Sequence, residues 1–336
     1  MTKRILIISP SWIGDCVMTQ PLYRRLHEKH PGCRIDVFAP KWSMAVFERM
    51  PEISNIIENP FGHGALAFVQ RWKTGRSLQG YDQVIVLPNS LKSVIVAAAT
   101  GAKQRTGYVG EFRYGWLNDA RKLDKQALYL MVDRYTALAD EKGETFGGST
   151  FPQLSVRPER QEVALHKYGL TREPNIMALC AGAEFGTAKR WLPEHYAATA
   201  RHYLAQGWQV WLFGSPKDFE VSESINQMAG GGCVNLCGKT DLGEAIDLLA
   251  CAEGVVANDS GLMHIAAAVG CRVVAVYGST DPKHAPPLSD TAEIATLNLP
   301  CSPCAQRECP LGHTDCLNKL TPDMVQKAAE ELAQTE

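Results

Sequence analysis

Residues 254–279 read GVVANDSGLMHIAAAVGCRVVAVYGS, and this one stretch carries the plan of the fold. A short β-branched run (254–257) meets a polar turn, Asn258-Asp259-Ser260-Gly261. A helical run through Ala268 follows, and then a second β-branched run (272–277). Strand, helix and strand in that order make a βαβ unit, whose crossover is right-handed and whose strands lie parallel. The rhythm extends outward in both directions. Further strands are expected at 176–180 and 209–213, and in the first half at 4–8, 34–39 and 81–87. Helical patterns at 193–205 and 242–252 lie between those of the second half.

The rhythm breaks between about residues 141 and 174, where Gly, Ser, Thr, Pro and charged residues dominate, as in 142–150 and 157–160. Such composition marks a linker. The expectation is an α/β protein of two Rossmann-like, doubly wound domains facing a central cleft. They would span 1–165 and 172–320, followed by a C-terminal helix over 321–336. In that helix Thr321 and Pro322 form the start, and Met324, Val325, Ala328 and Leu332 form an apolar stripe.

With 336 residues, 45% hydrophobic and 21% charged, the chain has the composition of a soluble globular protein of more than one domain. A net charge of −2 gives no reason to expect a nucleic-acid partner. No apolar run approaches the roughly 20 residues of a membrane-spanning helix. The opening Met1-Thr2-Lys3-Arg4 and four isoleucine-rich residues read as a first strand rather than a secretion signal, which places the protein in the cytoplasm. Of the 11 cysteines, seven are scattered among apolar or small residues. Cys301, Cys304, Cys309 and Cys316 are clustered, with His313 nearby. They have the ligand types of a structural zinc site, but the spacing of the second pair is loose, and reduced thiols in a packed loop are the alternative.

In open α/β sheets ligands bind beyond the carboxyl ends of the strands, where helix starts present free N–H groups. Five loops lie at such places. Ser9–Asp15 follows the first strand: Asp15 is either a helix cap or a general base for an acceptor hydroxyl. Residues 181–191 pair Gly182 and Gly186, which admit a ligand to the backbone, with Thr187, Lys189 and Arg190, whose donors and charge suit a diphosphate. The P-loop spacing is absent. Asp218 or Glu220 is placed to accept from ribose hydroxyls, or is a solvated loop acid. Asp259, Ser260 and Gly261 open a helix and suit a sugar and an anion, while His264, one turn in, is a ligand contact or a core histidine. The loop 278–282 is equally explained by turn chemistry.

These loops resemble those of the ADP-heptose–lipopolysaccharide heptosyltransferases, glycosyltransferase family 9, which have the two-Rossmann-domain GT-B fold. The resemblance runs nearly end to end and is strongest to the members that add the second inner-core heptose. The segments 62–66, 87–93, 105–107, 113–115 and 117–119 carry it as well.

The resemblance implies an inverting, metal-independent transfer of L-glycero-D-manno-heptose from ADP-heptose to heptosyl-Kdo2-lipid A, with no cofactor required. Asp15 would be the base and Lys189 the diphosphate cation that steadies the departing ADP. Gly182, Thr187, Asp218, Asp259, Ser260, Gly261 and His264 would complete the donor site. Lys92, Arg105 and Arg113 would meet the anionic acceptor at the cytoplasmic face of the inner membrane, where the enzyme would sit peripherally. One departure stands out: Gly182-Ala183-Glu184 occupies the place where a related branch carries two adjacent hydroxyl residues. Other acceptors remain open, either a heptose-free Kdo2-lipid A or a protein. A catalytically silent ADP-sugar-binding module is the reading of a different class.

Overall fold

The computed structural model describes residues 2–62 and 64–334. The opening Met1, His63 within the segment 62–66, and the last two residues of the expected terminal helix lie outside it. The chain divides between Pro152 and Gln153 into two compact units.

The first unit is built on a parallel sheet of β1 (Arg4–Ile8), β2 (Arg34–Pro40), β3 (Asn55–Asn59), β4 (Gln83–Val86), β5 (Gln104–Tyr108) and β6 (Asp119–Arg121). Their spatial order is β3-β2-β1-β4-β5-β6. Ile5, Leu6 and Ile7 are all fully buried. An unbroken apolar run marks a strand covered on both faces, because helices pack on either side of a parallel sheet. Leu6, Ile8, Val84, Val86, Val94 and Leu117 meet in one part of this core.

The second unit repeats the plan with β7 (Ile176–Cys180), β8 (Gln209–Leu212), β9 (Cys233–Asn235), β10 (Gly254–Asn258), β11 (Arg272–Val276) and β12 (Ala292–Ala295). The order is β12-β11-β10-β7-β8-β9. In both units the strand order reverses beside the first strand, between β1 and β4 and between β7 and β10. These are the positions at which open α/β sheets leave a crevice for ligand. Gly254 pairs with Met177 and Ala257 with Cys180, so the loops leaving β7 and β10 emerge side by side. Trp191, Tyr196, Leu212 and Ile225 form the core there, and Val325 of the terminal helix Pro322–Ala333 seals it.

The first unit is shorter than the expected 1–165. The helix Pro158–Tyr168 goes with the second unit: Gln161 donates to the Asp247 carbonyl (3.3 Å), and the Leu154 N–H donates to the Ala268 carbonyl (2.8 Å). Strands β3, β5, β6, β9 and β12 are additions to the sequence reading. Four of them, β3, β6, β9 and β12, form the sheet edges, are short, and carry polar residues that conceal the apolar run.

Candidate functional site

In the second unit the loop after β7 is pinned to the end of β10 by a buried asparagine. The Asn258 side chain donates to the Ala181 carbonyl (2.7 Å) and accepts from the Trp191 N–H (3.0 Å). Between those anchors the chain makes a single 3-10 turn, Thr187–Lys189, entered through Gly186. A Cβ on Gly186 would stand 2.2 Å from the Arg307 carbonyl oxygen, so only glycine allows these two backbones to approach. The same Arg307 carbonyl accepts the Ala188 N–H (3.0 Å).

This turn presents Lys189 to Asp259. The ammonium donates to Oδ2 at 2.6 Å, and the Thr280 hydroxyl donates to the same oxygen at 2.6 Å. Loops following β7, β10 and β11 thus converge on one carboxylate. Lys189 and Asp259 are mostly buried, at 14% and 11% side-chain exposure, so the pair is stronger than a surface ion pair. Lys189 Nζ also stands 5.0 Å over the Phe185 ring, and the Arg307 guanidinium stands 5.2 Å over that ring. Each contact is within cation–π range.

Asp259 leads into Ser260, the N-cap of the helix Gly261–Ala268. That helix start offers free backbone N–H groups and the positive end of the helix dipole. The hydroxyls of Ser260 and Ser279 are buried and have no hydrogen-bond partner within the described residues. Unpartnered buried donors beside a helix N-terminus and a lysine are what an anionic, hydroxyl-rich ligand would satisfy. His264 is buried below, and desolvation drives its pKa down to about 4, helped by Lys189 and opposed by Asp259. At neutral pH it is an uncharged imidazole.

Asp218 takes a different part from the one expected. It is buried, and its Oδ2 accepts from the Ser215 N–H (2.9 Å) and hydroxyl (2.7 Å), closing a capping box. Its carboxylate lies against Gly182, where a Cβ would come within 2.6 Å of Oδ2. Gly182 therefore admits Asp218 as its near neighbour. Glu220, in the first turn of the helix Phe219–Met228, is exposed. Thr187 is exposed at the start of the 3-10 turn.

In the first unit the helix after β1 is Ile13–Met18, with Trp12 at the N-cap. Asp15 is inside the first turn, so the capping alternative is set aside. Its carboxylate is half-buried, and the buried Tyr135 hydroxyl is hydrogen-bonded to it. Burial is the first cause that raises the Tyr135 pKa, and the Asp15 charge adds to it. The phenol therefore stays protonated and donates. Pro21 restarts the chain as the helix Gln20–Lys29.

Two of the three expected acceptor cations are spoken for. Arg113 is 1% exposed and donates to the Pro88 carbonyl (2.7 Å), Asn89 Oδ1 (2.8 Å) and the Tyr108 carbonyl. It braces the loops after β4 and β5 from inside, which corrects its assignment as an acceptor contact. Arg105 donates to the Trp116 (2.8 Å) and Ala102 (2.9 Å) carbonyls. Lys92, in the first turn of the helix Leu91–Ala99, has no ion pair or side-chain hydrogen bond among the described residues.

The clustered cysteines are all free and half-buried. Backbone N–H groups, Thr314 foremost, hold the Cys309 thiol below its usual pKa, while burial and the other three thiols raise that of Cys316. Among the described residues no group of three or more His, Cys, Asp or Glu side chains is placed to hold a metal ion. The zinc expectation is therefore not carried further. Instead the segment packs on the loops around Lys189, through the Gly186–Arg307 approach and an Ala305 N–H to Ser279 carbonyl bond (2.6 Å).

Sequence reasoning passed over Thr280, Phe185, Arg307 and Tyr135. Thr280 sits in a loop that turn chemistry already explains. Phe185 lies within the loop 181–191, where its apolar ring gives no sign that it faces Lys189; Arg307 meets that loop, and Tyr135 meets Asp15, only through tertiary packing.

The profile of "Glycosyltransferase family 9 (heptosyltransferase)" matches residues 71–315. The chain is 42% identical to lipopolysaccharide heptosyltransferase 2 of Escherichia coli K12, covering 98% of this chain and 97% of the relative. It is 47% identical to lipooligosaccharide heptosyltransferase 2 of Haemophilus influenzae, covering 87% and 88%. The solved structure of E. coli ADP-heptose lps heptosyltransferase II superposes with a TM-score of 0.87 at 40% identity, over 98% of both chains. Twin sheets with reversed strand order, a lysine–aspartate pair at the second switch point and this likeness along the whole chain agree: the protein belongs to glycosyltransferase family 9, the heptosyltransferases.

Proposed function

We propose that the chain transfers L-glycero-D-manno-heptose from ADP-heptose to heptosyl-Kdo2-lipid A, by a single inverting displacement, at the cytoplasmic face of the inner membrane. The carrying observation is the Lys189–Asp259–Thr280 convergence beside the Gly261–Ala268 helix start, with two unpartnered serine hydroxyls next to it. The identity to heptosyltransferase 2 relatives supports the acceptor.

In this reading the helix N-terminus and Lys189 take the diphosphate. Lys189 offsets the charge that builds on the departing ADP, and such preorganised charge is usually the largest catalytic contribution. Asp259, Ser260 and Gly261 hold the heptose and its proximal phosphate, and neutral His264 supports that loop from below without adding charge. With Asp218 turned inward, the ribose contact falls to the exposed Glu220. Asp15 accepts the proton of the acceptor hydroxyl as that oxygen attacks the anomeric carbon, while the bond to ADP breaks. The Tyr135 hydroxyl keeps the carboxylate aimed. Lys92 is the acceptor-side cation. The chemistry is complete without a cofactor, so full turnover in excess chelator is expected.

The test is an acceptor panel with ADP-heptose, run on wild type and Asp15→Asn. Wild type should prefer heptosyl-Kdo2-lipid A over Kdo2-lipid A and over protein acceptors. Asp15→Asn should keep ADP affinity while kcat falls about a hundredfold or more, the scale of losing a general base. Preference for the heptose-free lipid would reassign the acceptor, and an undiminished kcat would remove Asp15 as base. ADP-heptose binding without turnover on any acceptor would favour the silent binding module.

A further inference from the structure

The helix Phe68–Ser77 is turned inside out relative to an ordinary surface helix. Its buried residues are Arg71 and Gly75, and its outward side carries Phe68, Val69 and Trp72 at 44%, 58% and 40% exposure. Gly75 explains the close seat of the inner face: a Cβ there would stand 2.4 Å from the Val96 carbonyl oxygen. Arg71 is spent internally, donating to the Leu66 carbonyl (2.9 Å) and lying 4.3 Å from the Phe61 ring. That bond holds Leu66, 52% exposed, beside the helix start. Phe68 and Trp72 stack at 6.1 Å, so the outward aromatics form one patch.

Cations border the patch. Lys73 and Arg76 are exposed on the same side, and no acidic residue occurs between Glu58 and Asp82, in a chain whose net charge is −2. Exposed apolar area costs about 25 cal/mol per Å² in water, so a patch like this is kept for a partner. The partner must accept aromatic rings at its surface and carry negative charge. A second copy of the chain would bring Lys73 and Arg76 against their own counterparts. An anionic bilayer meets both demands, with rings at headgroup level and cations over acidic lipids.

We propose that the outward face of this helix, Leu66, Phe68, Val69 and Trp72 flanked by Lys73 and Arg76, docks the enzyme onto an anionic lipid bilayer. The proposal rests on the reading above that the acceptor is lipid-linked. It adds which face of the first unit meets the membrane.

The test uses the full chain with vesicles of phosphatidylglycerol and phosphatidylethanolamine, and with phosphatidylcholine vesicles as control, scored by flotation. Two double variants are compared, Phe68→Gln with Trp72→Gln and Lys73→Gln with Arg76→Gln. All four residues are exposed at the surface, and thermal melts confirm folding. Wild type should partition onto the anionic vesicles at least about tenfold better than onto the control, with salt weakening the preference. The charge variant should lose roughly thirtyfold and the aromatic variant about tenfold. Both should turn over an acyl-free heptosyl-Kdo2 saccharide at the wild-type rate, yet slow on the same acceptor embedded in vesicles.

Unchanged partitioning in both variants would overturn the proposal. So would a wild-type dimer that the aromatic variant dissolves without any vesicle binding, since the patch would then belong to a second copy. Vesicle binding lost as expected, with no wild-type turnover of either acceptor, would sink the acceptor reading and leave the docking face standing.

Discussion

At the scale of single residues, the charges that matter are set by burial. His264 has its pKa lowered from the usual 6.5 to about 4. Between those values the unfolded chain binds a proton that the folded chain refuses, so stability rises with pH across that window. The stabilisation is whole above about pH 6.5 and drains as pH falls toward 4, by on the order of 3 kcal/mol for this group. Denaturant titrations at pH 7 and pH 4.5 should show the drop in wild type and a shallower one in His264→Gln; equal slopes would contradict the burial effect. Lys189 and Asp259 stand out in the sequence because each follows a strand end in a polar loop, whereas Asp15 is told apart from a helix cap only by the family resemblance. Arg113 was misjudged because a cation in a polar loop looks solvated until the carbonyls of Pro88 and Tyr108 are seen closing around it. Thr280 escaped because its value lies in an oxygen it shares with Lys189, and no local pattern announces such sharing.

At the scale of elements, central strands announce themselves and edge strands do not. Residues 5–8 and 273–276 are apolar because both faces are covered. Strand β6 is Asp-Ala-Arg, and β3 alternates partial exposure with Asn and Glu, so neither stands out from a loop. Loop-to-loop contacts are further from reach, and Gly186 against Arg307 is the clearest instance. Gly186→Ala would push a methyl into the carbonyl of Arg307 and part the two segments, at an overpacking cost of about 1–3 kcal/mol. The expected outcome is a lower melting temperature together with roughly tenfold weaker ADP binding by calorimetry, because the displaced turn carries Lys189. A variant that binds ADP as well as wild type would show that the turn tolerates the shift.

At the scale of the molecule, the two-unit plan was readable from the repeated strand–helix rhythm and from the composition break, although the helix Pro158–Tyr168 fell on the other side of the division. Packing against Asp247 decides that membership, and composition carries no trace of it. On the proposed reading the loops that take the donor all belong to the second unit, so ADP alone should protect that unit. At a hundred times its dissociation constant a ligand adds about 2.7 kcal/mol, close to a hundredfold slower exchange of amides that open only on global unfolding. Hydrogen exchange should place this slowing in β7, β10 and β11 and leave β1 and β4 unaltered; equal slowing in both units would contradict a donor site confined to one. The Lys189–Asp259 pair also bears on what the enzyme ignores. Its ammonium is matched by the Asp259 carboxylate, whose same oxygen accepts from Thr280, so the pair presents little net charge to inorganic phosphate. On the proposed reading, a ligand gains Lys189 only by drawing it away from Asp259; a nucleoside diphosphate with contacts beyond the phosphates should do this and inorganic phosphate should not.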